Sequence, residues 1–249
     1  MSAPALEVVC AAYAYADGTR ALSDVSFSVE AGGVVGLVGP SGAGKSTLLL
    51  AAVGLLSVRE GSISVMGLQV TKKNLKQVRD RVGLIFQNPD DQLFMPTLYD
   101  DVAFGLLNQG VNGAELDLRV KKAIAERGLS GKEHKFPGHL SGGQKRLASL
   151  ATVLAMEPEV LLLDEPSSNL DPRARRKLIR QLAALDNTRI IASHDLEMVL
   201  ELCSRIIVLD QGRIVADGNP RQILSDAALM EAHGLEKPHS LIPHEHYHG

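Results

Sequence analysis

Val34-Val35-Gly36-Leu37-Val38 runs directly into Gly39-Pro40-Ser41-Gly42-Ala43-Gly44-Lys45-Ser46-Thr47, and an apolar-periodic segment continues from Lys45 to Leu55. The first five residues have the continuous apolar character of a strand buried on both faces. The order is therefore strand, loop, helix. In that setting the match of residues 39–47 to GxxxxGK[ST] reads as a phosphate loop. Its glycines allow backbone N–H groups to converge on phosphate oxygens, and the following helix directs its positive end at them. In such a loop Lys45 would hold the β and γ phosphates, and the Ser46 hydroxyl would ligate Mg²⁺.

Upstream, Leu6 to Tyr13 and Ala21 to Val29 alternate around Asp17-Gly18, the signal of a β-hairpin. Downstream, Ser62 to Met66, Val82 to Phe86, Val160 to Leu163 and Arg189 to Ala192 read as further strands, and Ile206 to Ala216 as a hairpin turning near Gln211-Gly212. Helical spacing covers Tyr99 to Leu107, Ala114 to Arg127, Gly142 to Met156 and Asp195 to Leu202, with Asp171-Pro172 opening another helix. Strands alternating with helices predict an α/β fold with a largely parallel sheet. The predicted organisation is a nucleotide-binding core of residues 1–87 and 151–225 with an N-terminal antiparallel β portion. A helical subdomain occupies 88–150 and a histidine-rich tail 226–249.

Asp164 ends an apolar strand, at the edge where open α/β sheets bind ligands. The alternation of strand side chains sends Glu165 to the other face. Behind a phosphate loop, Asp164 would belong to the Mg²⁺ shell and Glu165 would orient, or take a proton from, an attacking water. Leu140-Ser141-Gly142-Gly143-Gln144 precedes a predicted helix. It reads either as a second phosphate-binding helix start or as an ordinary N-cap with Ser141 as the capping residue.

The 26 Lys and Arg against 29 Asp and Glu leave a formal charge of −3, which provides no basic field for nucleic acid. The longest apolar-rich stretch, Thr47 to Leu56, is half of the roughly 20 residues a membrane span requires, and no leader pattern opens the chain. Cys10 and Cys203, far apart and outside any CxxC pattern, are expected to be two small buried side chains of a reducing compartment.

The phosphate loop, Gln87 after a strand, LSGGQ at 140–144, LLLDE at 161–165, Ser168-Asn169-Leu170-Asp171 and His194 after a strand stand in the order found in ABC-type ATP-binding subunits. Residues 5 to 225 resemble that family. The resemblance implies a P-loop ATPase core and hydrolysis of ATP by a head-to-tail dimer. Each nucleotide would lie between one chain's phosphate loop and the other chain's LSGGQ. It implies that Ser141, Gly142 and Gly143 grip the γ-phosphate across the interface, with Gln144 also among the nucleotide-binding residues. By the same resemblance Gln87 senses Mg²⁺ and water, His194 hydrogen-bonds the γ-phosphate, and Asp171 couples the two sites. Tyr15 corresponds to the aromatic that stacks on adenine, with Tyr13 as the competing residue. Ser168 and Asn169 stand where the family often has Ala-Gly.

A motor without a membrane span implies a separate transmembrane component and, on the cytoplasmic face of the membrane, a peripheral location. The segment Gln87-Asn88-Pro89-Asp90-Asp91-Gln92-Leu93-Phe94 resembles the ATPases of energy-coupling-factor transporters, importers of vitamins and of cobalt or nickel, which also carry a substrate-binding membrane component. Leu93, Phe94 and Met95 would either line a groove for the transmembrane partner or belong to the insert's own core. In the tail, His244, His246 and His248 alternate with Glu245 and Tyr247. They share one face of an extended chain and either take a transition metal or form a solvated end.

Overall fold

A computed structural model describes residues 3–242. In chain order the elements begin with β1 (Leu6–Ala14), β2 (Arg20–Val29), β3 (Val34–Val38), α1 (Lys45–Ala52), β4 (Glu60–Val65) and β5 (Leu68–Gln69). There follow α2 (Leu75–Arg81), β6 (Val82–Ile85), α3 (Leu98–Asn108), α4 (Gly113–Glu126), α5 (Gly142–Leu154) and β7 (Val160–Asp164). The chain continues through α6 (Pro172–Ala183), β8 (Thr188–Ala192), α7 (Leu196–Leu202), β9 (Arg205–Asp210), β10 (Arg213–Gly218), α8 (Pro220–Ser225) and α9 (Ala227–Ala232).

Two sheets result. A six-stranded sheet has the order β10-β9-β3-β8-β7-β6, parallel except for β10. A four-stranded antiparallel sheet has the order β2-β1-β4-β5. The central strands β3, β7 and β8 are mostly apolar because both faces are covered, and their alternation divides them between two cores. In β7, Val160 and Leu162 join a cluster with Leu48 and Leu49 of α1 and with Leu6, Val8 and Ile63 of the antiparallel sheet. Leu161 and Leu163 join the opposite cluster, with Leu106 of α3, Ile124 of α4, Leu150 of α5 and Leu178 of α6. Each such leucine, fully out of water, contributes about 2 kcal/mol of apolar burial.

The family-like α/β architecture is therefore present, with local departures from the sequence reading, among them α9 inside the segment read as a tail. Helix α1 stops at Ala52 instead of Leu55 because Gly54 turns left-handed, at φ +67°. Helix α2 is absent from the sequence reading: of its seven residues only Val78 is buried, too little for an apolar stripe. Of the two cysteines, Cys203 is buried and its thiol is pushed up to about 12 by that burial, but Cys10 is exposed. A left-handed residue at Cys10, φ +45°, interrupts the pairing of β1 with both neighbours and turns its side chain out of the core. Among the described residues no helix is long and apolar enough to cross a membrane.

Candidate active site

The loop between β3 and α1 owes its path to two glycines. Gly39 has φ +151°, and a Cβ there would lie 2.0 Å from the Leu209 carbonyl oxygen. Gly44 has φ +105°, and its Cβ would lie 2.3 Å from the Ala21 carbonyl oxygen. Only glycine fits either position. Between them Pro40, Ser41 and Gly42 are exposed or nearly so, and Ala43 packs inward. The Lys45 ammonium folds back on the loop, donating to the carbonyls of Gly39 at 2.7 Å and Pro40 at 2.9 Å. Burial lowers its affinity for the proton, and the carboxylates of Glu165 and Asp164 oppose that shift. Thr47 Oγ1 lies 2.8 Å from the Tyr15 hydroxyl. The Tyr15 ring meets Tyr13 edge to face, with centroids 5.1 Å apart, so both tyrosines lie on one side of the sheet.

Asp164 closes β7 beside this loop, close enough to Ser46 for the serine side chain to favour its charged form. Burial raises its carboxyl above the ordinary carboxylate range, with Ser46 opposing the shift and Glu165 adding to it. Its Oδ1 is buried with no hydrogen-bond partner among the described residues. An orphaned carboxylate oxygen beside a serine hydroxyl fits a Mg²⁺ ion, which takes few protein oxygens and keeps water or phosphate in its other positions.

Glu165 does not point away from Asp164, as strand alternation predicts. It has φ +45°, its N–H donates to Ala192 O at 2.8 Å, and both carboxylates act on Lys45. The left-handed residue ends the alternation, so consecutive acids face one crevice. Glu165 Oε2 accepts from the Ser193 hydroxyl at 3.1 Å and the His194 N–H at 3.2 Å, and lies 2.8 Å from His194 Nδ1. No protein donor engages Oε1 among the described residues.

A cleft of about 610 Å³ gathers Gly39, Pro40, Ser41, Lys45, Glu165 and His194. The remaining candidate residues lie elsewhere. Gln87 lines a separate hollow of about 350 Å³ with Asp90, Gly142, Lys145 and Asn169. Ser141 caps α5 in a reciprocal capping box with Gln144, and Ser141 and Gly142 are exposed. Asp171 caps α6, accepting from the N–H groups of Arg173 and Ala174 at 2.9 Å each. Leu93 belongs to the insert's core, Met95 is half-buried, and Phe94 is exposed, edge to face with Phe104. His244, His246 and His248 lie outside the described residues.

Two connections escape sequence reasoning. The buried Arg146 of α5 donates to the carbonyls of Phe86 at 2.7 Å and Gln87 at 2.6 Å, tying the LSGGQ helix to the Gln87 loop. Burial pulls its guanidinium down to about 10, with Asp164 opposing. Arg175 of α6 grips Asp195 through two bonds, at 2.6 and 2.7 Å, and Ser167 donates to the same carboxylate at 2.9 Å. The loop that carries His194 is thus fixed to the helix that Asp171 caps. An arginine one turn into a helix carries no signal of this; only the approach of the two segments does.

This geometry, a phosphate loop facing two acids and a histidine on the carboxyl edge of a parallel sheet, defines a nucleotide-hydrolysing P-loop cassette. The chain belongs to the ABC transporter family, whose model matches residues 22–168. It is 51% identical to an ABC transporter ATP-binding protein of Streptomyces avermitilis, over 98% of this chain and 93% of the other. It is 43% identical to the energy-coupling factor transporter ATP-binding protein EcfA of Methanothermobacter thermautotrophicus, over 91% of this chain and 74% of that one. Among solved structures it resembles CbiO1 of Clostridium perfringens, part of the ABC transporter complex CbiONQ, with TM-score 0.80 and 34% identity. The similarity covers 92% of this chain and 94% of CbiO1. The chain is an ABC-type ATPase.

Proposed function

We propose that this ATPase powers an energy-coupling-factor importer, docked on the cytoplasmic face of a transmembrane component, with cobalt or nickel ions as cargo. The observation that carries the reading is a separation within one chain. The phosphate loop, Glu165 and His194 share a crevice, with the Asp164 carboxylate acting on Lys45 beside it, whereas Ser141 and Gly142 lie exposed at the start of α5 and do not line it. A second subunit, another copy or a paralogue, supplies them head to tail. Similarity to EcfA supports the transporter class, and the alternating histidines of the tail support the cargo.

In this reading the loop amides of 39–47 and Lys45 bind the phosphates of ATP, and Tyr15, held to Thr47, flanks the base. Ser46, Asp164 and Gln87 would hold Mg²⁺, which when bound neutralises charge on the β and γ oxygens. Glu165 Oε1, free of protein donors, orients a water and takes its proton as the oxygen attacks the γ-phosphorus and the bond to ADP breaks. Ser193 and the His194 backbone hold the other carboxylate oxygen still. Because His194 Nδ1 donates to Glu165, its Nε2 is the ring atom left for the γ-phosphate. Asp171, through α6 and the Arg175–Asp195 pair, connects the partner-facing edge to that histidine. An apolar groove of about 490 Å³, lined by Leu55, Leu84, Phe86, Phe104 and Met156 next to the Gln87 loop, receives the transmembrane component.

The test is ATP-driven uptake of radiolabelled Co²⁺ and Ni²⁺ into vesicles that contain this chain and its membrane partners. Glu165→Gln should retain ATP binding, hold the closed dimer and lower hydrolysis about 100-fold or more, abolishing uptake. Hydrolysis without metal uptake would remove the cargo assignment and move the engine to a vitamin or another solute. Parental hydrolysis by Glu165→Gln would overturn the role given to that residue.

A further inference from the structure

The active-site cleft has a wall that belongs to neither sheet. Beyond α9 the chain doubles back, and Gly234, Leu235, Glu236, Lys237, Pro238 and His239 line the same cleft as Lys45, Glu165 and His194. This strap is anchored on both sides. Before it, His233 Nδ1 lies 2.8 Å from Asp210 Oδ2, and the Leu235 N–H donates to Met230 O at 2.8 Å. After it, the Ser240 N–H donates to Glu197 Oε1 at 3.0 Å, a bond that holds the Glu197 carboxyl below its ordinary range. Pro238 is buried, and Leu235 and Leu241 pack on the main core.

The charges lining the cleft show what the strap adds. Four are carboxylates, Glu165, Asp195, Glu197 and Glu236, against two lysines, Lys45 and Lys237. Asp195 is neutralised by Arg175, and the Lys45 ammonium is already engaged by the loop carbonyls. Lys237 is half-buried and makes no ion pair or side-chain hydrogen bond among the described residues. Without it Glu236 would be the strap's one formal charge, with His239 counted neutral, facing a polyanion. An ammonium on a four-carbon stem is a mobile point charge with three donors, suited to phosphate oxygens that lie within its sweep.

We propose that the strap is part of the nucleotide site and that Lys237 binds the terminal phosphates of ATP held in the same chain, with Glu197 and Asp210 as the positioning residues that keep the strap in place. The proposal rests on ATP binding at the phosphate loop and is independent of cargo and of transport direction.

The experiment is calorimetric titration of the full chain with Mg²⁺-ATP, ADP and AMP, at protein concentrations where light scattering shows monomer. Lys237→Ala should weaken ATP binding about 5-fold and Lys237→Glu about 30-fold, with a smaller loss for ADP and none for AMP. Lys237→Arg should stay within about twofold of the parent, since it keeps the charge. Unchanged melting of the nucleotide-free variants would show that the fold is intact. The proposal is overturned if Lys237→Ala and Lys237→Glu bind ATP as the parent does while Lys45→Ala loses it. It is overturned equally if the loss appears only in the dimer, which would make Lys237 a subunit contact. ATP binding that survives Lys45→Ala would instead overturn the nucleotide site itself, a distinguishable result.

Discussion

The two ends of this molecule that carry glycine-rich motifs differ in how much of their environment the chain supplies. Around the phosphate loop the chain itself supplies most of the partners: carbonyls for Lys45, and three donors for one oxygen of Glu165. At the start of α5, Ser141 and Gln144 satisfy each other, Gly142 is exposed, and a Cβ added to Gly142 would meet nothing within 4 Å. One end is held by contacts from distant segments of the chain, and the other only by its own capping residues. A helix N-terminus with open space before it suits an anion. In the reading proposed above, the fold makes two halves of different sites.

The strongest way to break that comparison is complementation. Lys45→Ala cripples the phosphate loop, and Gly142→Asp places a carboxylate where a partner's phosphate would sit without crowding its own chain. Each variant alone should hydrolyse ATP about 100-fold more slowly than the parent or worse. For a chain that pairs with itself, an equal mixture should recover roughly a quarter of parental activity. Half the dimers are then mixed, and each of those has one intact site. No recovery in the steady-state ATPase assay would refute the head-to-tail pairing of identical chains.

A second effect tests the link between the two ends. Arg146→Met keeps the volume but removes the donor from the carbonyls of half-buried Phe86 and exposed Gln87, and should cost about 1.5 kcal/mol in urea unfolding. The same variant should uncouple hydrolysis from the membrane partner, because the LSGGQ helix no longer holds the Gln87 loop. An unfolding midpoint within error of the parent would show that water replaces the guanidinium.

The smallest effect runs in the opposite direction. Burial raises the folded Asp164 carboxyl above its unfolded value. The unfolded chain therefore loses this proton first as pH rises, and stability falls from the unfolded value up to the folded one. Above that window the penalty is fully present. Asp164→Asn removes it, and the nucleotide-free protein should melt about 2 °C higher at neutral pH, after allowance for partial solvent screening, while hydrolysis drops. A lower melting temperature would mean that the favourable action of Ser46 and Lys45 on the carboxylate outweighs the cost of its burial.

Much of this is legible without coordinates. Val34–Val38 and Val160–Leu163 are short runs without a polar side chain, followed by glycine or acid, the pattern of a strand covered on both faces. Asp171-Pro172 announces its cap, and the Gly39 to Thr47 loop its phosphate chemistry. Less legible are the features that depend on a single backbone angle. Nothing in Leu-Asp-Glu-Pro says that Glu165 is left-handed, and without that turn its carboxylate would face away from Lys45. Cys10 is the same lesson in reverse, a bulge that exposes a residue whose composition argues for burial.

The sequence by itself determined the local chemistry: which loop can cradle phosphate, which strands are central, which helices are capped. These depend on residue type and short-range spacing, and a few neighbouring residues suffice to decide them. Only the tertiary structure decided what meets what. It put Arg146 on the Gln87 loop, Arg175 on Asp195 and the Gly234–His239 strap along a cleft whose phosphate loop lies almost 200 residues earlier in the chain. Such contacts arise when separate segments bury apolar surface against one sheet, and no local pattern encodes which polar groups that packing brings together.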